Sequence, residues 1–135
     1  MNYETLLYAP ILDSHLHGAY NFVFPHQENP NEQFQTKDLF ESGFCKLVLA
    51  EVSLPSTGQG IELGWAELLA IPITCLYKQG SLVSSSLKCV SSHFIEYKDS
   101  SDMIRKISTF LNERYIDIAS PDRCITTRLE RTGIS

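Results

Sequence analysis

Residues 46–52 read "KLVLAEV", nearly unbroken in apolar side chains, and are followed at once by the turn "SLPSTGQG". A strand with one wet face alternates apolar and polar residues, whereas an apolar run of this kind marks a central strand of a parallel sheet covered by helices on both faces. Other apolar runs fall at 6–8, 21–24, 72–77 and 93–97, and helical patterns separate the later ones. Strands alternating with helices predict an α/β domain with a mostly parallel five-stranded sheet.

The helix after the central strand is expected to bury Ile61, Trp65, Leu68 and Leu69, which recur at i, i+4, i+7 and i+8. Gly64 completes that stripe and would permit close approach to the sheet, while Glu62 falls beside it in the first turn. A later helix begins near Ser100 or Ser101 as N-cap, with Asp102 complementing the dipole and Met103, Ile107, Phe110 and Leu111 facing inward. The α/β pattern is carried by residues 1–115. Residues 116–135 remain as a C-terminal tail, where Ser120 as N-cap, Pro121 in the first turn and Gly133 past the end predict a short helix.

A chain of 135 residues buries one core and needs no second domain. The net charge of −5 argues against tracking a nucleic-acid polymer, which requires a dense Lys/Arg surface to displace counterions, so a small-molecule substrate is expected. No apolar run approaches the ~20 residues of a membrane span, and the N-terminus lacks a basic start and a small-residue cleavage site, so no membrane partner and a cytoplasmic location are expected. Cys45, Cys75, Cys89 and Cys124 form no CxxC pair, and buried reduced thiols are the expectation for Cys45 and Cys75.

The stretch "ILDSHLHGAY" offers Asp13, His15 and His17 in an Asp-x-His-x-His pattern, as at the mouth of a metal-dependent hydrolase barrel. That barrel takes about 200 residues or more, and the two remaining histidines, His26 and His93, sit in no second ligand motif. Neither a metal nor an organic cofactor is expected.

The chemistry concentrates instead in "AEVSLPSTGQGIELGWAELL". Ligands of parallel sheets bind beyond the carboxyl ends of the strands, where helix N-termini present free N–H groups, and Ser56, Thr57, Gly58 and Gly60 stand there. Such turns also serve plain strand-to-helix geometry. Glu62 is equally readable as an acid favoured by the helix dipole, and Glu51 as an acceptor for nearby backbone donors.

The run 38–77, "DLFESGFCKLVLAEVSLPSTGQGIELGWAELLAIPITCLY", resembles the nucleoside 2-deoxyribosyltransferase family, nearest its 2'-deoxynucleoside 5'-phosphate N-hydrolase branch. The likeness extends more loosely over 22–111, and it rests on an Asp opening a helix, then "AEVS", "PSTGQG", "IELGWA" and "PITCLY" in order. It implies a flavodoxin-like or Rossmann-like three-layer domain and a homodimer. By that resemblance Glu62 matches the catalytic glutamate, Asp38 the aspartate preceding the central strand, and Ser56 the serine that touches a 5'-phosphate. Ser84, followed by Ser85 and Ser86, matches a serine reaching a neighbouring subunit's phosphate site, and Tyr8 closes the expected first strand beside the substrate. The implied reaction is hydrolysis of the N-glycosidic bond of a 2'-deoxynucleoside 5'-monophosphate or related nucleoside. Base exchange and a non-catalytic nucleotide-binding module are its alternatives. The chain departs from the family at "YAPILDSHLHGAYNF", where Pro10 replaces the glycine of the substrate loop.

Overall fold

The computed structural model describes residues 22–23, 32–54, 57–91, 93–114 and 124–128. In chain order these form β1 (Phe22–Val23), α1 (Glu32–Glu41), β2 (Cys45–Glu51), α2 (Thr57–Leu68), β3 (Ile73–Lys78), a 3₁₀ turn (Ser85–Cys89), β4 (His93–Tyr97), α3 (Ser100–Arg114) and β5 (Cys124–Arg128). The strands make one sheet in the order β1-β5-β2-β3-β4, and every neighbouring pair is parallel.

The central strand is where its apolar run places it. Leu47, Val48, Leu49 and Ala50 are all buried, as a strand covered on both faces requires. Val48, Ala50 and Val52 share a core with Phe40 of α1, Leu63 and Ala66 of α2, and Ile73 and Cys75 of β3. Cys45 joins that core despite its odd number, because the β2–β5 register slips between Cys45 and Leu47 and the bulge shifts the pleat by one residue. Leu47, Leu49 and Glu51 therefore face the other side. There α3 packs on β4 and buries Met103, Ile107 and Leu111, with Phe110 edge-on to His93.

Cys124–Arg128, read from sequence as helix, is a strand hydrogen-bonded between β1 and β2, with Leu47 opposite Ile125 and Ala50 opposite Arg128. The segment is thus part of the sheet rather than a helical tail. The sequence there carries one Ile and two Thr, and β-branched residues favour strands, a preference that outweighs the Ser-Pro start and the later Gly. The expected strand at 6–8 lies outside the described residues, and of that at 21–24 the described residues Phe22 and Val23 are both in the ladder.

The inner face of α2 also differs from its apolar stripe. Gln59, Glu62, Leu63 and Ala66 are buried, whereas Ile61 is 46% exposed, Leu68 80% and Leu69 42%. Gly64 is exposed too, and a Cβ built there would meet nothing within 4 Å. Two apolar stripes compete on this helix, and the smaller Leu63/Ala66 side fits against the sheet. The helix closes with Ile71 N–H donating to the Ala66 carbonyl at 2.8 Å around left-handed Ala70, and α1 ends before left-handed Gly43. In α3 the cap is Asp99, whose carboxylate accepts from Asp102 N–H at 2.8 Å, not Ser100 or Ser101.

Candidate active site

At the carboxyl edge of the sheet, β2 ends in a carboxylate with no exposed surface, that of Glu51. A buried polar group is tolerated only where hydrogen-bond partners surround it. Ser53 N–H donates to Oε1 at 2.7 Å and Ser53 Oγ to Oε2 at 2.8 Å, while the Tyr97 hydroxyl at the end of β4 donates to Oε2. Ser53 Oγ in turn accepts from Lys78 N–H at 2.9 Å, so the ends of β2, β3 and β4 are joined through one acid. The sequence singles out neither Ser53 nor Tyr97 as a site residue. The signal available was the Glu-x-Ser spacing of "AEVS", which puts both side chains on one face of an extended segment.

The first turn of α2 is tied to the same strand end, since Gln59 Nε2 donates to the Glu51 carbonyl at 2.8 Å. Three residues on, Glu62 is 1% exposed. The helix begins at Thr57, so Glu62 falls in the second turn rather than the first, and the dipole, which fades within one turn, contributes less to its charge than expected. Trp65, one turn beyond Glu62, lies on the flank of α2 nearest α1, because Lys37 Nζ of α1 sits 5.9 Å from the Trp65 ring centroid. Asp38 follows Lys37, yet it is exposed and stands in the second half of α1 rather than opening it. The fold thus packs the two helices bearing the candidate acids together and gives the acids unlike surroundings, one buried and one in water.

Ser84 is exposed at the N-cap of the 3₁₀ turn, where its hydroxyl accepts from Ser86 N–H at 3.3 Å. That is the ordinary work of a serine before a helical turn. Gly58 and Gly60 lie in the first turn of α2, and a Cβ at Gly60 would meet nothing within 4 Å. Tyr8, Asp13, His15, His17 and Ser56 lie outside the described residues. Among the described residues no group of three or more His, Cys, Asp or Glu is placed to hold a metal ion, and no helix is long and apolar enough to cross a membrane. Cys45 and Cys75 are buried, and Cys89 is exposed.

One curated relative aligns with the chain, a protein of Methanosarcina barkeri (strain Fusaro / DSM 804) named "Putative 2'-deoxynucleoside 5'-phosphate N-hydrolase 1". The two are 33% identical over 67 residues, which is 47% of this chain and 42% of the relative, so the chain spans less than half of the relative's length. No family model matches, and no solved structure does.

Proposed function

We propose that this protein hydrolyses the N-glycosidic bond of a 2'-deoxynucleoside 5'-monophosphate, or a related nucleoside, with Glu62 as nucleophile. The observation that carries the reading is a carboxylate with 1% exposure on the helix that starts directly beyond the central strand, where parallel sheets bind their ligands. The name of the curated relative points to the same bond. We place the chain in a flavodoxin-like arrangement, since every neighbouring pair among the described strands is parallel and helices lie on both faces, and expect it to work as a homodimer.

A deoxyribosyl C1' lacks the electron-withdrawing 2'-hydroxyl, so positive charge develops there readily. The Glu62 carboxylate attacks C1' as the bond to the base breaks, giving a glycosyl ester that water then cleaves, as in retaining glycosidases. Asp38, in water on the neighbouring helix, orients the sugar and handles the proton of the departing base. Ser56 donates to the 5'-phosphate. Gly58 and Gly60 carry no side chain at two positions of the first turn of α2, so a ligand can reach the backbone there. Tyr8 lines the sugar, and Ser84 serves the phosphate site of the second subunit once its cap is released.

The test is incubation with deoxynucleosides and their monophosphates, with and without a free acceptor base. Released base supports the hydrolase, base exchange the transferase, and binding without turnover a nucleotide-binding module. Glu62→Gln is expected to abolish most turnover with the melting temperature preserved, and wild-type turnover in that variant would remove the nucleophile. Ser56→Ala is expected to impair the monophosphate by about 1.5–3 kcal/mol relative to the matching nucleoside, the worth of a hydrogen bond to a charged group. Equal loss on both substrates would take Ser56 out of the phosphate site.

A further inference from the structure

We infer that Glu51, with Ser53 and Tyr97, is a positioning unit for the helix segment that carries Glu62; the inference rests on the nucleophilic role proposed for that residue. The Glu51 carboxylate is wholly buried and receives Ser53 N–H at 2.7 Å, Ser53 Oγ at 2.8 Å and the Tyr97 hydroxyl. Packing alone does not call for an acid at this place, since well-packed apolar side chains of similar volume serve a core as well or better. What the acid adds is direction: it fixes the chain reversal after β2 against the ends of β3, through Lys78 N–H on Ser53 Oγ at 2.9 Å, and of β4, through Tyr97.

The fixed strand end is also the anchor of the helix. Gln59 is buried, and its amide donates to the Glu51 carbonyl at 2.8 Å. Gln59 and Glu62 are one turn apart on the same inward face of α2, so a shift of that anchor carries Glu62 with it. Glu51 touches no reacting atom in this scheme. It acts through the Glu51–Gln59 link, by holding Glu62 at one depth and angle beneath the carboxyl edge of the sheet.

Tyr97→Phe removes one donor and leaves the ring that fills the core. The expected result is a kcat lowered roughly 10–100-fold with KM little changed, the signature of a displaced reacting group with an intact binding site. The amides of Ile61, Glu62 and Leu63 are expected to exchange hydrogen faster in the folded variant, while those of α3 keep their protection. A lowered melting temperature with kcat and amide exchange unchanged would reduce the network to plain support and overturn the inference. If Tyr97→Phe does not fold, Gln59→Met cuts the link on the helix side without touching the acid, and the same readouts apply. Should the wild type release no base, the proposed function fails on its own. Amide exchange then still decides: loosening confined to the start of α2 supports the positioning unit, and unchanged protection refutes it.

Discussion

Replacing Gly64 by alanine tests the rotation of α2 about its axis, on which the burial of Glu62 depends. Residues 62 and 64 stand about 200° apart on a helix of 3.6 residues per turn, so only one of them can face the sheet. Gly64 faces outward, in ordinary helical backbone, with open space where a Cβ would go. Alanine there gains helix propensity and narrows the unfolded ensemble, overlapping effects that together stabilise by about 0.5–1 kcal/mol. Unfolding entropy of about 2.1 cal/mol/K per residue amounts to roughly 0.28 kcal/mol/K for 135 residues. The expected rise in melting temperature is therefore about 2–4 °C. In the opposite rotation, with Ile61, Gly64 and Leu68 against the sheet, the added methyl would overpack the core at a cost of about 1–3 kcal/mol and lower the midpoint by roughly 4–11 °C. Thermal and urea melts of wild type, Gly64→Ala and Leu63→Ala decide the sign. Leu63, 1% exposed, is expected to lose about 2–5 kcal/mol on truncation. A destabilised Gly64→Ala would refute the observed rotation, and with it the buried placement of Glu62.

Thiol chemistry and metal dependence give two further checks. Burial pushes the Cys75 thiol up to about 11, against the smaller opposing effect of a hydrogen bond with Ser91, so it stays protonated at pH 8 and should resist alkylation in the native state while exposed Cys89 reacts; native modification of Cys75 at the rate of Cys89 would contradict its burial. Because the folded value lies above the ordinary 9.0, the unfolded chain gives up this proton first, and the contribution to stability is expected to fade as pH rises from 9.0 through about 11, read from urea midpoints across that range. Chelators are expected to leave base release unchanged, since the proposed chemistry runs on carboxylates; one zinc per chain, lost together with activity and restored on adding it back, would return attention to Asp13, His15 and His17.

Local composition was enough to place the central strand. "KLVLAEV" is apolar on both of its alternating sides, and only a sheet covered on both faces accepts such a run, so its burial and the parallel neighbours at 73–78 and 93–97 were legible from order and periodicity. The same holds for α3, where the stripe of Met103, Ile107 and Leu111 has no rival on the helix. On α2 two stripes compete, and periodicity measures the presence of an apolar face without saying which one the sheet can accommodate. The fit of Leu63 and Ala66 against Val48, Ala50 and Ile73 decided it, and that choice turned Glu62 inward. Residues 124–128 carry both helix-flanking and strand-forming signals, and the vacancy beside β2, a feature of the whole sheet, selected the strand. The Glu51 network lay furthest beyond the sequence, because Tyr97 stands 46 positions from Glu51 and only the parallel stacking of β2, β3 and β4 brings a hydroxyl from one strand end to a carboxylate on another.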